Sequence, residues 1–180
     1  MCIRDSVLVR RAVLTNLQSI PSKLEKDIIS KLNDFNYSNC EIALYKLCTL
    51  NPSKKKEYLE LTKELVGSNK NIRITWLELN FSGPEDKSVN ELVSYSSSDY
   101  EFRTRNYAIN SLVNLKYCNQ QVVINLFDAA LSTNNRLASP ARNALKKLRE
   151  TPAYADLIKN YYDQNFWDEW QKNKLKPIFN

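Results

Sequence analysis

Asn119-Gln120-Gln121-Val122-Val123-Ile124-Asn125-Leu126-Phe127-Asp128-Ala129-Ala130-Leu131 is the stretch that decides the fold class. Val122, Val123, Leu126, Phe127, Ala130 and Leu131 recur at i, i+1, i+4 and i+5. That spacing gathers them on one face of an α-helix, whereas a strand would scatter them over both faces. Leu24, Ile28 and Leu32 repeat the pattern more thinly.

Working outward, the prolines supply a period. Pro21, Pro52 and Pro84 are 31 and 32 residues apart, and Pro152 lies 68 beyond Pro84, which is two intervals of 34. Proline suits the first turn of a helix, where its missing N–H would be unsatisfied in any case, and Asn51 and Thr151 stand before two of them as capping residues. Each proline therefore marks the first helix of a pair, with the skipped pair opening near Asn119. Pairs are expected to start near 21, 52, 84, 119 and 152. Second helices are expected at Cys40–Leu50, Ile72–Phe81, Phe102–Tyr117 and Ala141–Leu148, with Val7–Ile20 in the same register. Ile72, Ile74 and Trp76 alternate with polar residues as a strand would, but a lone strand would leave its backbone groups unpaired, so the repeat register favours a helix.

The resulting expectation is an all-α chain, a right-handed superhelix of antiparallel helix pairs of the HEAT or armadillo kind, forming one helical-repeat domain over 7–180. Only two glycines in 180 residues agree with it, because sandwiches, barrels and phosphate loops need many more. Thr104-Arg105-Asn106-Tyr107-Ala108 with Leu112 resembles the Val-Arg-x-x-Ala-x-x-x-Leu signature of HEAT repeats, and Arg11, Arg73 and Arg142 each precede a leucine by six. These arginines are expected to be structural, with Asp99 the candidate partner of Arg105. Met1-Cys2-Ile3-Arg4-Asp5-Ser6 resembles the translation of a transposase adaptor from sequencing libraries, so residues 1–6 are expected to be a prefix to native sequence from Val7. The Val7–Ile20 helix then lacks a pair partner before it.

Composition narrows the chemistry. No histidine is present, so His-dependent triads, His general bases and the common zinc sites are excluded within this chain. Cysteines stand at 2, 40, 48 and 118 without a Cys-x-x-Cys pair, and Cys40 and Cys48 share a helix face as buried small hydrophobes would. No apolar run approaches a membrane span. Lys and Arg number 26 against 20 Asp and Glu, a net charge of +6. Lys54-Lys55-Lys56 and the cluster Arg142, Lys146, Lys147 and Arg149 are the basic candidates for a nucleic-acid surface. Acidic residues are interspersed throughout, which fits solvated helix faces better.

Beyond the repeat, the second half resembles the C-terminal helical domain of gluzincin aminopeptidases, in the branch that includes leukotriene hydrolase and related bacterial enzymes. Asn71-Ile72-Arg73-Ile74-Thr75-Trp76-Leu77-Glu78-Leu79 is similar to that domain's Glu-Ile-Arg-x-x-Trp-Leu-x-Leu stretch. Asn135-Arg136-Leu137-Ala138-Ser139-Pro140-Ala141-Arg142 resembles its Gly-Arg-Met-Lys loop and the helix after it, and Tyr154–Asp163 with Trp167-Asp168-Glu169-Trp170-Gln171 resembles the ends of bacterial members. The resemblance implies a parent exopeptidase with zinc in a catalytic domain outside this chain. This domain would pack on that catalytic domain and wall its peptide cleft, with no cofactor of its own. It also implies that Arg136, in the polar loop Ser132–Asn135, binds the carboxylate end of short peptides, while Ala138 stands where the branch carries a lysine. A surface arginine capping the preceding helix is the plainer reading of Arg136. A stand-alone HEAT scaffold for another protein is the alternative function, and a nucleic-acid-binding repeat stands third.

Overall fold

The computed structural model describes residues 6–64, 67 and 69–180. The prefix reading of 1–6 therefore lies outside the described residues, apart from Ser6. Among the described residues the chain is all-α, without a strand. The helices are α1 (Val7–Asn16), α2 (Glu25–Ser30), α3 (Tyr37–Leu50), α4 (Lys55–Leu61), α5 (Lys70–Asn80), α6 (Val89–Tyr95), α7 (Phe102–Asn114), α8 (Gln120–Ala130), α9 (Asn135–Leu148), α10 (Pro152–Gln164) and α11 (Glu169–Phe179). The alternating Ile72-Arg73-Ile74-Thr75-Trp76 segment is helical, within α5. The chain groups into two compact units, Met1–Asn80 and Phe81–Asn180.

In the first unit α3 is the central element, packed against α1 and α5. Its stripe Cys40, Ala43, Leu44, Leu47 and Cys48 is buried at i, i+3, i+4, i+7 and i+8, one continuous helix face. Asn36 caps its N-terminus by accepting from the Ser38 N–H. Ahead of it, Asp34 receives both the Arg10 Nε, at 2.6 Å, and an Arg10 terminal nitrogen, at 3.0 Å, and it also accepts from Asn39. Arg10 rather than Arg11 makes this ion pair. Arg11 reaches the Asn36 side chain instead. The Arg10 guanidinium, with help from the Asn36 N–H and Asn39, holds the Asp34 carboxyl at about 2, below the ordinary value of 3.8.

In the second unit α9 packs on α7, α8 and α11. Helix α8 buries Val122, Val123, Leu126, Phe127 and Ala130, the stripe expected from the sequence, and Asn119 caps it through the Val122 N–H. A buried polar network joins α6, α7 and α8. Arg105 donates to the Ser96 and Asn125 carbonyls and to Asp128 at 2.7 Å, while Asn125 donates to the Val93 carbonyl and the Ser96 hydroxyl. The partner of Arg105 is therefore Asp128 on the following helix, and Asp99 instead accepts from Ser97. The arginine places its charge at the C-terminal end of α6, where orphan carbonyls and the helix dipole favour a cation.

Prolines and helix starts coincide in part. Pro52 opens a 3-10 turn leading into α4, and Pro152 opens α10. Pro21 and Pro84 sit in turns, and their helices begin at Glu25 and Val89. Helix α11 follows a capping box in which Asp168 accepts from the Gln171 N–H and the Gln171 side chain accepts from the Asp168 N–H. It closes over an aromatic cluster of Phe127, Tyr162, Trp167 and Phe179, with Arg149 over the Phe179 ring.

Candidate functional site

Arg136 is a helical residue. Helix α9 begins at Asn135, so Arg136 lies in its first turn and not in a loop, and its N–H is capped by Asn134. The sequence breaks the expected helix at Pro140, yet α9 runs through it. A proline at this position cannot donate to the carbonyl four residues earlier, which is that of Arg136. Asn106 on α7 replaces the missing donor: its Nδ2 reaches the Arg136 carbonyl at 2.7 Å. That bond identifies the amide nitrogen, because a carbonyl can only accept, and it leaves the buried Asn106 Oδ1 without a hydrogen-bond partner. A side chain of α7 thus fixes the backbone that carries Arg136.

The guanidinium itself is exposed and makes no hydrogen bond or ion pair among the described residues. The helix-capping role falls to Arg142, whose Nη1 donates to the Ala130 carbonyl at the end of α8. Ala138 is fully buried. The position that the family resemblance gives to a second cation therefore faces the core of this unit, and a lysine could not serve a cleft from there.

One helical turn beyond Arg136, α7 and α9 line a groove of about 480 Å³ with Val113, Pro140 and Ala144 as its apolar residues and Asn110, Asn143 and Lys146 among its polar ones. It continues into a second hollow of about 560 Å³ that shares Val113 and Lys147 and adds Lys116 and Glu150. Lys116, Lys146 and Lys147 are exposed and form no ion pair among the described residues. The basic cluster read from sequence is thus divided. Arg142 and Arg149 are spent on the Ala130 and Ile178 carbonyls, whereas Lys146 and Lys147 face the groove. In the first unit Lys54 pairs with Glu25 at 2.7 Å.

Lys116 closes the C-terminal end of α7 in a left-handed conformation, φ 49°. The Tyr117 N–H reaches back to the Leu112 carbonyl and the Lys116 N–H to that of Val113, so Lys116 holds the place a glycine usually takes in such a stop. The Tyr154 hydroxyl donates to the Lys116 carbonyl at 2.8 Å and fixes the turn. Spacing alone did not single out Lys116, Asn106 or Asn110. The Asn106, Asn110, Asn114 series at i, i+4 and i+8 on one face of a helix was the available signal.

Burial pushes the thiols up, Cys48 to about 11 and Cys118 to about 12, and raises Cys40 as well, so all three stay protonated at neutral pH. Among the described residues no group of three His, Cys, Asp or Glu is placed to hold a metal ion. A cavity of about 110 Å³ in the first unit, between Leu32, Tyr37, Cys40 and Ile72, is smaller than most ligand pockets. No helix among the described residues is long and apolar enough to cross a membrane. Comparison with protein-family models, with curated proteins and with solved structures finds no match.

Proposed function

We propose that this chain is a non-catalytic helical-repeat domain that binds peptides through Arg136 and the groove between α7 and α9. The single observation that carries the reading is the exposed Arg136 guanidinium, without hydrogen bond or ion pair among the described residues, on a backbone bonded by Asn106 and one helical turn before Pro140, which lines a groove whose charged residues are lysines. An arginine fork meets a carboxylate with two parallel charge-assisted hydrogen bonds, and a fixed backbone lowers the entropy lost in doing so. The helix-pair repeat is part of the same proposal. Its support is the packing of α3 between α1 and α5 in one unit and of α9 on both α7 and α8 in the other.

The parent we propose is a zinc aminopeptidase, with this domain walling the peptide cleft of a catalytic domain outside the chain. Its support is the Asn71–Leu79 and Asn135–Leu148 resemblance, in which Arg73 lies over the Trp76 ring at 5.2 Å, as an Arg-x-x-Trp pair on one helix face would. Buried Ala138 weighs against close kinship with the leukotriene hydrolase branch.

Calorimetric titration of the 180-residue chain with trialanine and with trialanine amide tests the binding claim. The free acid is expected to bind about two- to fivefold more tightly, the range for an exposed charged contact, and Arg136→Gln is expected to erase the difference. Equal affinity for acid and amide in the unsubstituted chain would overturn the assignment.

A further inference from the structure

Given the Arg136 reading, on which this inference rests, we infer that the groove measures its ligand: it takes an extended peptide with a C-terminal carboxylate at Arg136 and an acidic side chain about five residues earlier, held by Lys147 and Lys116. The argument begins with length. Lys147 lies eleven positions beyond Arg136 on α9, a rise of about 16 Å at about 1.5 Å per residue. An extended peptide covers the same distance in about five residues at about 3.3 Å each. The cations therefore stand at the two ends of a five-residue track.

The track between them suits a main chain. Asn110 and Asn143 present carboxamides from α7 and α9, each able to donate to a peptide carbonyl and accept from a peptide N–H. Val113, Pro140 and Ala144 offer apolar contact for small side chains. Charge selects the occupant. Lys116, Lys146 and Lys147 at the far end face a single carboxylate, Glu150, so the hollow is net positive and favours an acidic side chain over a basic one.

Lys116 adds a separate observation. A lysine at positive φ is less favourable than glycine, and here the backbone bonds of the helix stop hold it there. Here its carbonyl is fixed by Tyr154, and its side chain lines the hollow beside Lys147.

Synthetic hexapeptides test the ruler on the full chain. The probe is Glu-Ala-Ser-Ala-Ser-Ala with a free C-terminus, and its comparators move the glutamate next to the C-terminal residue, replace it with glutamine, or amidate the end. The probe is expected to bind about two- to fivefold more tightly than the shifted and glutamine peptides at low salt, with the advantage shrinking as salt rises. Lys116→Gln with Lys147→Gln is expected to remove that advantage while leaving the acid-over-amide preference in place. Lys116→Gly is expected to raise the melting temperature by about 2–4 °C and yet weaken the probe, separating folding from binding. Equal binding of probe and shifted peptide, with the acid-over-amide preference intact, would overturn the ruler alone. Loss of that preference in the unsubstituted chain would overturn the Arg136 reading beneath it.

Discussion

Replacing Pro140 and Asn106 together tests the structural device that holds Arg136. In the native chain the Arg136 carbonyl has lost its helical donor to Pro140 and is served by Asn106 Nδ2 at 2.7 Å. Asn106→Ala removes that donor. The net value of such a bond is about 1 kcal/mol, reduced by water at an exposed site, so a loss of about 0.5–1 kcal/mol is expected. Pro140→Ala returns an N–H to the ladder and relieves the ring's clash with the Arg136 carbonyl. Helix propensity alone sets the gain at up to about 3 kcal/mol, and a position close to the helix start keeps it nearer about 1–2 kcal/mol. In the Pro140→Ala background the Arg136 carbonyl no longer depends on Asn106, so the second substitution should cost little. The two changes are therefore expected to couple by about 0.5–1 kcal/mol. Urea unfolding followed by both far-ultraviolet circular dichroism and tryptophan fluorescence measures the cycle, and coincident curves establish that a single free energy is meaningful. An equal cost of Asn106→Ala in both backgrounds, or a destabilising Pro140→Ala, would refute the reasoning.

Other outcomes follow from the same geometry. Arg105→Met strips donors from the Ser96 and Asn125 carbonyls and from Asp128, and it should cost about 2–3 kcal/mol in the same urea assay; Arg105→Lys, lacking the planar fork, should recover only part of it. Asp34 has a folded value of about 2, below its ordinary 3.8, so its contribution of about 1–2 kcal/mol is fully present above about pH 4 and is lost as pH falls through 2. Arg10→Gln should flatten that part of a stability-against-pH profile, and an unchanged profile would refute the pairing. Helix α1 exposes Leu8 (69%) and Val13 (60%), so Leu8→Glu with Val13→Lys should lower self-association in sedimentation experiments without lowering the melting temperature. The 180-residue chain should not hydrolyse aminoacyl anilides with or without added zinc, and zinc-dependent turnover by the purified chain would contradict the non-catalytic reading.

The fold class was legible in the sequence where one physical effect dominated. Val122–Leu131 carries an unbroken apolar stripe and an asparagine cap, and α8 is bounded by them. Helix α3, Tyr37–Leu50, was legible from Cys40 and Cys48 on one face, though its first turn was not. Where a local rule was overruled by a distant residue, the pattern misled. Pro140 argues for a helix beginning at Ala141, but α9 starts at Asn135 because Asn106, 34 residues before the proline, supplies the missing donor. Arg105 pairs across to Asp128 instead of back to Asp99, a choice set by the packing of α8. Helix α11 was overlooked although Asp168 and Gln171 form a capping-box pair that spacing alone could have disclosed. As for the site, Arg136 was visible as a basic residue near a helix start. Its groove was not, since it arises only when the exposed faces of α7 and α9 come together.

The most direct measurement on the central claim is a residue-resolved magnetic-resonance titration of the 180-residue chain with trialanine. The account predicts that the Arg136 Nε–H and the Asn106 and Asn110 side-chain amides shift first and saturate together, and that trialanine amide leaves the Arg136 signal unmoved. Saturable shifts centred elsewhere, for example at Asp34 and Cys40, with Arg136 unchanged, would contradict it.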